Sequence, residues 1–218
     1  MEKPTIGILG FGYLGSELSN LGKWSEDSWC TFKEDMQDRQ PVQGFTAVTF
    51  DWSNPETWSN LPQDSATLVL TIPPVFRDEK QEQKRLEEWC EWMRKNRPQH
   101  KRLVYISSTG VYPNLPGLWS EEDNFFPDTN KGELRLSTEK LLLKCFDTKI
   151  VRAGAIYGRG RNIGIRILGH KPIPGGVQRI HRVHVRDLAR LVFLAATATT
   201  FPRIVNAIDL ESETTSNV

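Results

Sequence analysis

Short apolar runs alternate along this chain with longer stretches of mixed polarity. Thr5–Leu9 reads as a strand and leads into a helix from about Gly12 to Leu21. Trp29–Phe32 and Ala47–Phe50 are short strand candidates. Thr67–Ile72, "TLVLTI", is a continuous apolar and β-branched run, as a parallel strand covered on both faces requires, and Pro73-Pro74 ends it. In "FRDEKQEQKRLEEWCEWMRKNRP", Leu86, Trp89, Cys90 and Met93 recur at i, i+3, i+4 and i+7. That spacing predicts a helix buried along one stripe and closed by Pro98. A strand within Lys101–Ser107 follows, then a polar, Pro-containing loop from Thr109 to about Thr129, long enough to wall an active site. A helix from about Lys131 to Cys145, with Leu134, Leu141 and Cys145 on one side, precedes a short strand at Lys149–Arg152. "GRGRN", Gly158–Asn162, reads as a loop, Val185–Ala196 as a helix and Arg203–Ile208 as a last strand before a polar tail.

Strands that alternate with helices imply an α/β domain: a doubly wound parallel sheet with right-handed crossovers, a Rossmann fold. In such a sheet a ligand lies beyond the carboxyl ends of the strands. Four segments converge there on this reading: Gly10–Gly15, Ile72–Pro74, Ser107–Tyr112 and Gly154–Asn162. The 218 residues suit one domain, with the substrate side built from about 113–130 and 158–182.

Composition narrows the function classes. A net charge of +1 argues against nucleic acid as a partner, and the basic clusters Arg94–Arg97 and Arg159–Arg161 are short. No apolar run approaches the ~20 residues that span a bilayer. The start "MEKPTIGILG" has no signal-peptide layout, so a cytoplasmic protein without membrane association is expected. Cys30, Cys90 and Cys145 are odd in number and far apart, without metal-ligand spacing. They read as small buried hydrophobes, and no metal site is expected.

The strongest local signal is "GILGFGYLGSEL". Gly10, Gly12 and Gly15 carry G-x-G-x-x-G directly after a strand and at the opening of a helix, the context in which that pattern binds a dinucleotide. Gly10 takes the tight turn, Gly12 lets the backbone approach a pyrophosphate, and Gly15 allows close packing of helix on strand. The cofactor contacts expected from this loop are Gly10, Phe11, Gly12, Tyr13, Leu14 and Gly15, with Ile72, Pro73 and Ser107 from neighbouring strand ends. Some twenty residues on, "WCTFKED" puts Lys33 where it can pair with a 2′-phosphate, which favours NADP over NAD, although Glu34 and Asp35 follow at once. Asp51 is an adenine-side candidate; an Asp that opens the turn "DWSNPE" is an equal reading.

Together "GILGFGYLG", "LVYISSTGVYP", "VRAGAIYGRGRN" and "HRVHVRDLA", in order over about residues 4–208, resemble the extended short-chain dehydrogenase/reductases of the NAD-dependent epimerase/dehydratase group. The closer likeness is to an atypical branch with G-x-G-x-x-G and a G-x-W-x-x-E stretch, matched by Gly117, Trp119 and Glu122. The resemblance implies a Ser that holds the substrate oxygen, matched by Ser108. It also implies a Tyr–Lys pair four residues apart, in which the Tyr exchanges a proton with substrate. That pair is missing. Glu17, Thr109, Pro116 and Arg161 stand four residues after the four tyrosines. Aligning Glu139 with the family's helix puts Lys131 at the Tyr position and Arg135 at the Lys position. Lys131 reads as a surface lysine, whereas Arg135 is suited to ribose hydroxyls or a phosphate.

The catalytic candidates are therefore Ser108, Tyr112 and Arg135, and for Tyr112 a packing role in its loop competes. Tyr157 is a further tyrosine within reach of such a site, and His184 reads as a hydrogen-bonded structural histidine. Arg159, Arg161 and Asn162 offer a fork of donors for an anionic substrate. Only ten residues follow "RIVNAI", where extended members usually add a substrate lid, so a reduced C-terminal substrate lobe is expected. Two functions stay open: an NAD(P)-dependent oxidoreductase or epimerase acting on a small hydroxylated or carbonyl substrate, and a non-catalytic NAD(P)-binding redox sensor or partner-binding module. A homodimer is compatible with both.

Overall fold

A computed structural model of the chain describes residues 2–33, 44–64, 67–75, 78–115, 117–161, 179–210 and 213–214. Seven strands form one parallel sheet: β1 (Ile6–Leu9), β2 (Trp29–Phe32), β3 (Thr46–Thr49), β4 (Thr67–Leu70), β5 (Arg102–Ser108), β6 (Asp147–Ala153) and β10 (Ile204–Ala207). Their spatial order is β10-β6-β5-β4-β1-β2-β3, with every neighbouring pair parallel. The order reverses between β1 and β4. That is the switch point of a doubly wound Rossmann-like sheet, where the loops that leave the two strands diverge and open a crevice.

Among the described residues four α-helices flank the sheet: α1 (Tyr13–Ser19), α2 (Glu79–Asn96), α3 (Asn130–Cys145) and α4 (Val185–Thr197). Against α1 and α4 the sheet presents Ile6, Ile8, Val69, Val104, Ile106 and Val151, all buried. Against α2 and α3 it presents Leu9, Leu68, Leu70, Leu103, Tyr105 and Ile150. This two-sided burial explains why β1, β4 and the middle of β5 read as continuous apolar runs rather than alternating ones. Two small pairings lie outside the main sheet: β7 (Ala155–Tyr157) with β9 (Arg182–His184), and β8 (Arg179–Ile180) with β11 (Glu213–Thr214).

The predicted stripe of α2 is buried as expected: Leu86, Trp89, Cys90 and Met93 all face inward, and the Asp78 side chain caps the helix by accepting from Gln81 N. In α3 the prediction needs correction. Leu134 is buried, but Leu142 rather than Leu141 is the second inward leucine, and Cys145 is exposed. Thr138 and Glu139 share the buried face, because Glu139 has polar partners beneath it, so the apolar stripe of this helix is weak in the sequence.

Aromatic side chains fill the α2 side. Trp89 packs on Trp52 with ring centroids 5.0 Å apart and on Phe146 at 5.5 Å. The Trp29 indole crosses from β2 onto Gly7 of β1: a Cβ there would lie 2.2 Å from the Trp29 ring. Trp29 Nε1 donates to Asp64 Oδ2 at 2.7 Å, and Asp64 Oδ1 lies 3.7 Å from Nε2 of the buried His100. Gly7 is therefore a packing requirement set by Trp29.

Candidate functional site

The turn after β1 is pinned from both sides. Gly10 N donates to Thr31 Oγ1 at 2.9 Å and Phe11 N to Thr31 O at 2.9 Å. On the other side Thr71 Oγ1 donates to Leu9 O at 3.1 Å and also to Gly10 O. Gly10 sits at φ +94°, and a Cβ there would meet Ile72 Cγ1 at 2.6 Å, so conformation and space both demand glycine. Gly12 has an ordinary φ of −112°, and a Cβ there would meet nothing within 4 Å. The surface at Gly12 is thus open on the side where a ligand's phosphates would approach. Gly15 is close to Phe11, whose ring a Cβ would meet at 3.1 Å. Tyr13 and Leu14 open α1, which has no side-chain N-cap.

Beyond this loop lies a cleft of about 430 Å³ at the carboxyl ends of β1 to β4. Its walls include Phe11, Lys33, Asp51, Trp52, Ile72 and Pro73. The crevice at the switch point therefore collects the glycine loop, both charged candidates and the Ile72-Pro73 wall. Trp52, which lines it, is 4% exposed, and its indole N–H has no acceptor among the described residues. The residues present thus fit a dinucleotide: an open glycine cradle, an aromatic wall and a cation.

Lys33 Nζ lies 3.5 Å from Asp51 Oδ2 at the rim. Asp51 also opens the turn that follows β3, accepting from Ser53 N at 2.9 Å and Ser53 Oγ at 2.7 Å. The geometry thus gives Asp51 the turn-opening role. Burial raises its pKa, but the Ser53 donors and Lys33 outweigh that and hold it below the usual carboxylate value. Lys33 remains largely exposed, so its ammonium stays accessible to an anion. Glu34, Asp35 and Asn162 lie outside the described residues.

The catalytic candidates sit at the next strand ends. Ser108 ends β5 half-exposed, and its hydroxyl accepts from Gly110 N at 3.1 Å. Ser107 points the other way and donates to Glu139 Oε1 at 2.5 Å. Glu139 forms a buried fork with Arg152 of β6: Nη2 to Oε2 is 2.8 Å and Nε to Oε1 is 3.2 Å. Arg152 Nη1 donates to the Tyr112 hydroxyl at 2.9 Å, which in turn donates to Asn206 Oδ1 at 2.9 Å. The guanidinium also lies over the Tyr112 and Phe125 rings, 5.1 and 5.2 Å from their centroids. Burial would lower the Arg152 pKa, but Glu139 and Tyr112 reverse this and hold it above its ordinary value. The Tyr112 hydroxyl is thus committed to a network that ties β6, β10 and the loop after β5.

Arg135 is half-buried on α3 and leans toward the hydroxyl of Tyr105, which is fully buried and has no well-aligned partner. Burial drives the Tyr105 pKa upward; Arg135 opposes this, whereas Glu139 and Glu82 reinforce it. Lys131, at the start of the same helix, is exposed.

Arg159 and Arg161 stand beside the glycine loop. Tyr13 Oη donates to Arg159 O at 3.0 Å, and the Arg161 guanidinium lies 5.5 Å from the Tyr13 ring centroid. Gly158 and Arg161 exchange backbone hydrogen bonds of 3.1 and 3.0 Å, which close the loop into a tight turn. His184 has the structural role expected: Nδ1 accepts from Arg186 N at 3.3 Å as the cap of α4, and its ring packs edge-on against Tyr157.

Thr31, Thr71 and Trp52 were not singled out from the sequence. The threonines lie within strand-like runs, and their role depends on which strands neighbour β1. Among the described residues no group of three or more His, Cys, Asp or Glu side chains could hold a metal ion, and no helix is long and apolar enough to cross a membrane.

No protein-family model matches the chain, and no curated protein matches it in sequence. Solved structures do resemble it. An ADP-L-glycero-D-manno-heptose-6-epimerase from Helicobacter pylori is 17% identical, with a TM-score of 0.76 over 99% of this chain and 80% of that one. A UDP-glucuronic acid 4-epimerase variant from Bacillus cereus, in complex with UDP-4-deoxy-4-fluoro-glucuronic acid and NAD, is 19% identical, with a TM-score of 0.75 over 97% of this chain and 79% of that one. A Methylobacillus flagellatus protein named for the NAD-dependent epimerase/dehydratase class is 21% identical, with a TM-score of 0.75 over 99% and 79%. At these identities the likeness carries the fold: a Rossmann-like α/β domain.

Proposed function

We propose that this chain binds a nicotinamide dinucleotide, NADP ahead of NAD, and serves as an oxidoreductase or epimerase-like protein for a small hydroxylated or carbonyl substrate. The observation that carries this reading is the cleft at the switch point, with its glycine cradle open at Gly12 and Lys33 at its rim. That the similar Bacillus cereus structure is a complex with NAD supports the class of cofactor.

A bound nicotinamide supplies a hydride acceptor or donor. On this reading Gly10 to Gly15 hold the diphosphate, and Lys33 pairs with a 2′-phosphate. Asp51, Ile72 and Pro73 bound the adenosine side. Ser108 orients the substrate oxygen, Arg135 stands where the family resemblance puts a ribose-binding cation, and Arg159 and Arg161 supply positive charge near the loop. The protein works in the cytoplasm as one domain. Titration of NADPH and NADH against the purified protein, followed by a metabolite screen with the tighter cofactor, tests this. A Ser108→Ala variant with unchanged turnover would remove Ser108 from the mechanism.

A second reading has its own support. No tyrosine carries a lysine four residues on, and the Tyr112 hydroxyl is engaged by Arg152 and Asn206. These favour a protein that binds the cofactor without turning over substrate, as a redox sensor or a partner-binding module. Hydride transfer to or from bound cofactor with any metabolite rules that reading out.

A further inference from the structure

The inward stripe of α2 does not begin with an apolar residue. Leu86, Trp89, Cys90 and Met93 follow on from Glu82, which lies one turn before Leu86 and is 3% exposed. A carboxylate withdrawn this far from water is costly unless donors hold it. Glu82 Oε2 accepts from Val75 N at 2.9 Å. Val75 belongs to the loop after β4 and lines the cleft at the switch point together with Ile72 and Pro73.

The sequence of that loop explains why the bond falls there. Pro73 and Pro74 carry no N–H, and their rings fix φ. Val75 N is therefore the first backbone donor after Ile72, at the end of a stiffened stretch. At the start of the stretch Thr71 Oγ1 donates to Leu9 O and to Gly10 O, and Ile72 Cγ1 lies 2.6 Å from where a Cβ on Gly10 would stand. One end of the wall is thus tied to the glycine loop and the other to α2. Binding loops take their place from the packed elements behind them, and here a buried carboxylate makes that connection.

We propose that Glu82 is a positioning residue for the cofactor: from α2 it holds the Ile72–Val75 wall against the adenosine side of the dinucleotide, and so sets affinity for NADPH and NADH alike. The role rests on the reading of this cleft as the cofactor site. It differs from that of Lys33, which meets the 2′-phosphate and separates the two cofactors.

The test uses the full chain. In Glu82→Leu the inward position stays filled and the stripe of α2 gains an apolar member, but Val75 loses its acceptor; in Glu82→Gln the amide oxygen keeps one. Isothermal titration is expected to show NADPH and NADH both weakened by roughly tenfold in Glu82→Leu and restored to within about threefold of wild type in Glu82→Gln. The melting temperature of Glu82→Leu stays at or above that of the wild type, so the loss of affinity is not a loss of fold. Amide exchange followed by NMR reads the contact without cofactor: the Val75 N–H exchanges roughly tenfold more slowly in the wild type and in Glu82→Gln than in Glu82→Leu. Wild-type affinity for both cofactors in a folded Glu82→Leu overturns the proposal. So does a Glu82→Gln that binds as weakly as Glu82→Leu, or a wild-type Val75 N–H that exchanges at the rate of unstructured backbone. A folded wild type that binds neither cofactor overturns the functional reading itself, and the cofactor role of Glu82 with it.

Discussion

Glu139→Ala strands a buried charge beneath α3. Glu139 and Arg152 are 1% and 3% exposed, and the carboxylate accepts from Arg152 and from Ser107. Alanine at 139 leaves a buried guanidinium whose remaining polar partner is the Tyr112 hydroxyl. Removing one member of a buried ion pair costs about 3–5 kcal/mol, since the surviving charge is stranded away from water. For a domain of ordinary stability, about 5–15 kcal/mol, this is a large share of the total. Urea unfolding followed by tryptophan fluorescence reads it directly, and the midpoint drops by about 2 M. Glu139→Leu combined with Arg152→Met removes both charges at similar volume and recovers most of the loss. The reasoning is refuted if Glu139→Ala costs less than about 1 kcal/mol, the range of an exposed pair, or if the double variant is no more stable than the single one.

Three further outcomes follow from the same geometry. Gly7→Ala drives a methyl into the Trp29 ring and destabilises by about 1–3 kcal/mol or more, whereas Gly12→Ala leaves the melting temperature within error. Lys33→Ala weakens NADPH binding by roughly tenfold, about 1.4 kcal/mol, and leaves NADH nearly unchanged, as isothermal titration of both cofactors reports. Ser53→Ala removes the hydroxyl donor that helps hold Asp51 below its ordinary pKa and keeps the backbone N–H donor, so its NMR titration midpoint moves up. Because that pKa is depressed in the fold, the stability Asp51 contributes is present above its unfolded value of about 3.9 and fades as pH falls through the folded one. In Ser53→Ala that contribution is smaller.

β1, β4, β5 and α2 were legible because their signals are local: unbroken apolar runs for doubly covered strands and a four-residue stripe for α2; the short β7, β8, β9 and β11 carry no such run and were not predicted. The glycine loop was legible for the same reason, since strand, turn and helix are contiguous. α3 was read less well, because Thr138 and Glu139 occupy inward positions that a hydrophobic pattern assigns to solvent. The partners of Glu139, Ser107 and Arg152, are 32 and 13 positions away, and only the sheet order brings them beneath the helix. Gly7 looked like an ordinary strand residue until Trp29 was found lying across it.

The central claim is that the cleft beyond Gly10–Gly12 takes a nicotinamide dinucleotide, and Gly12→Val tests it most directly. Position 12 has an ordinary φ and open space, so the variant keeps the wild-type fold and melting temperature while its side chain fills the place of the diphosphate. The account predicts saturable NADPH binding to the wild type by isothermal titration and its loss, tenfold or more, in Gly12→Val. Equal affinity in the two proteins, or no binding of NADPH or NADH to a folded wild type, contradicts it.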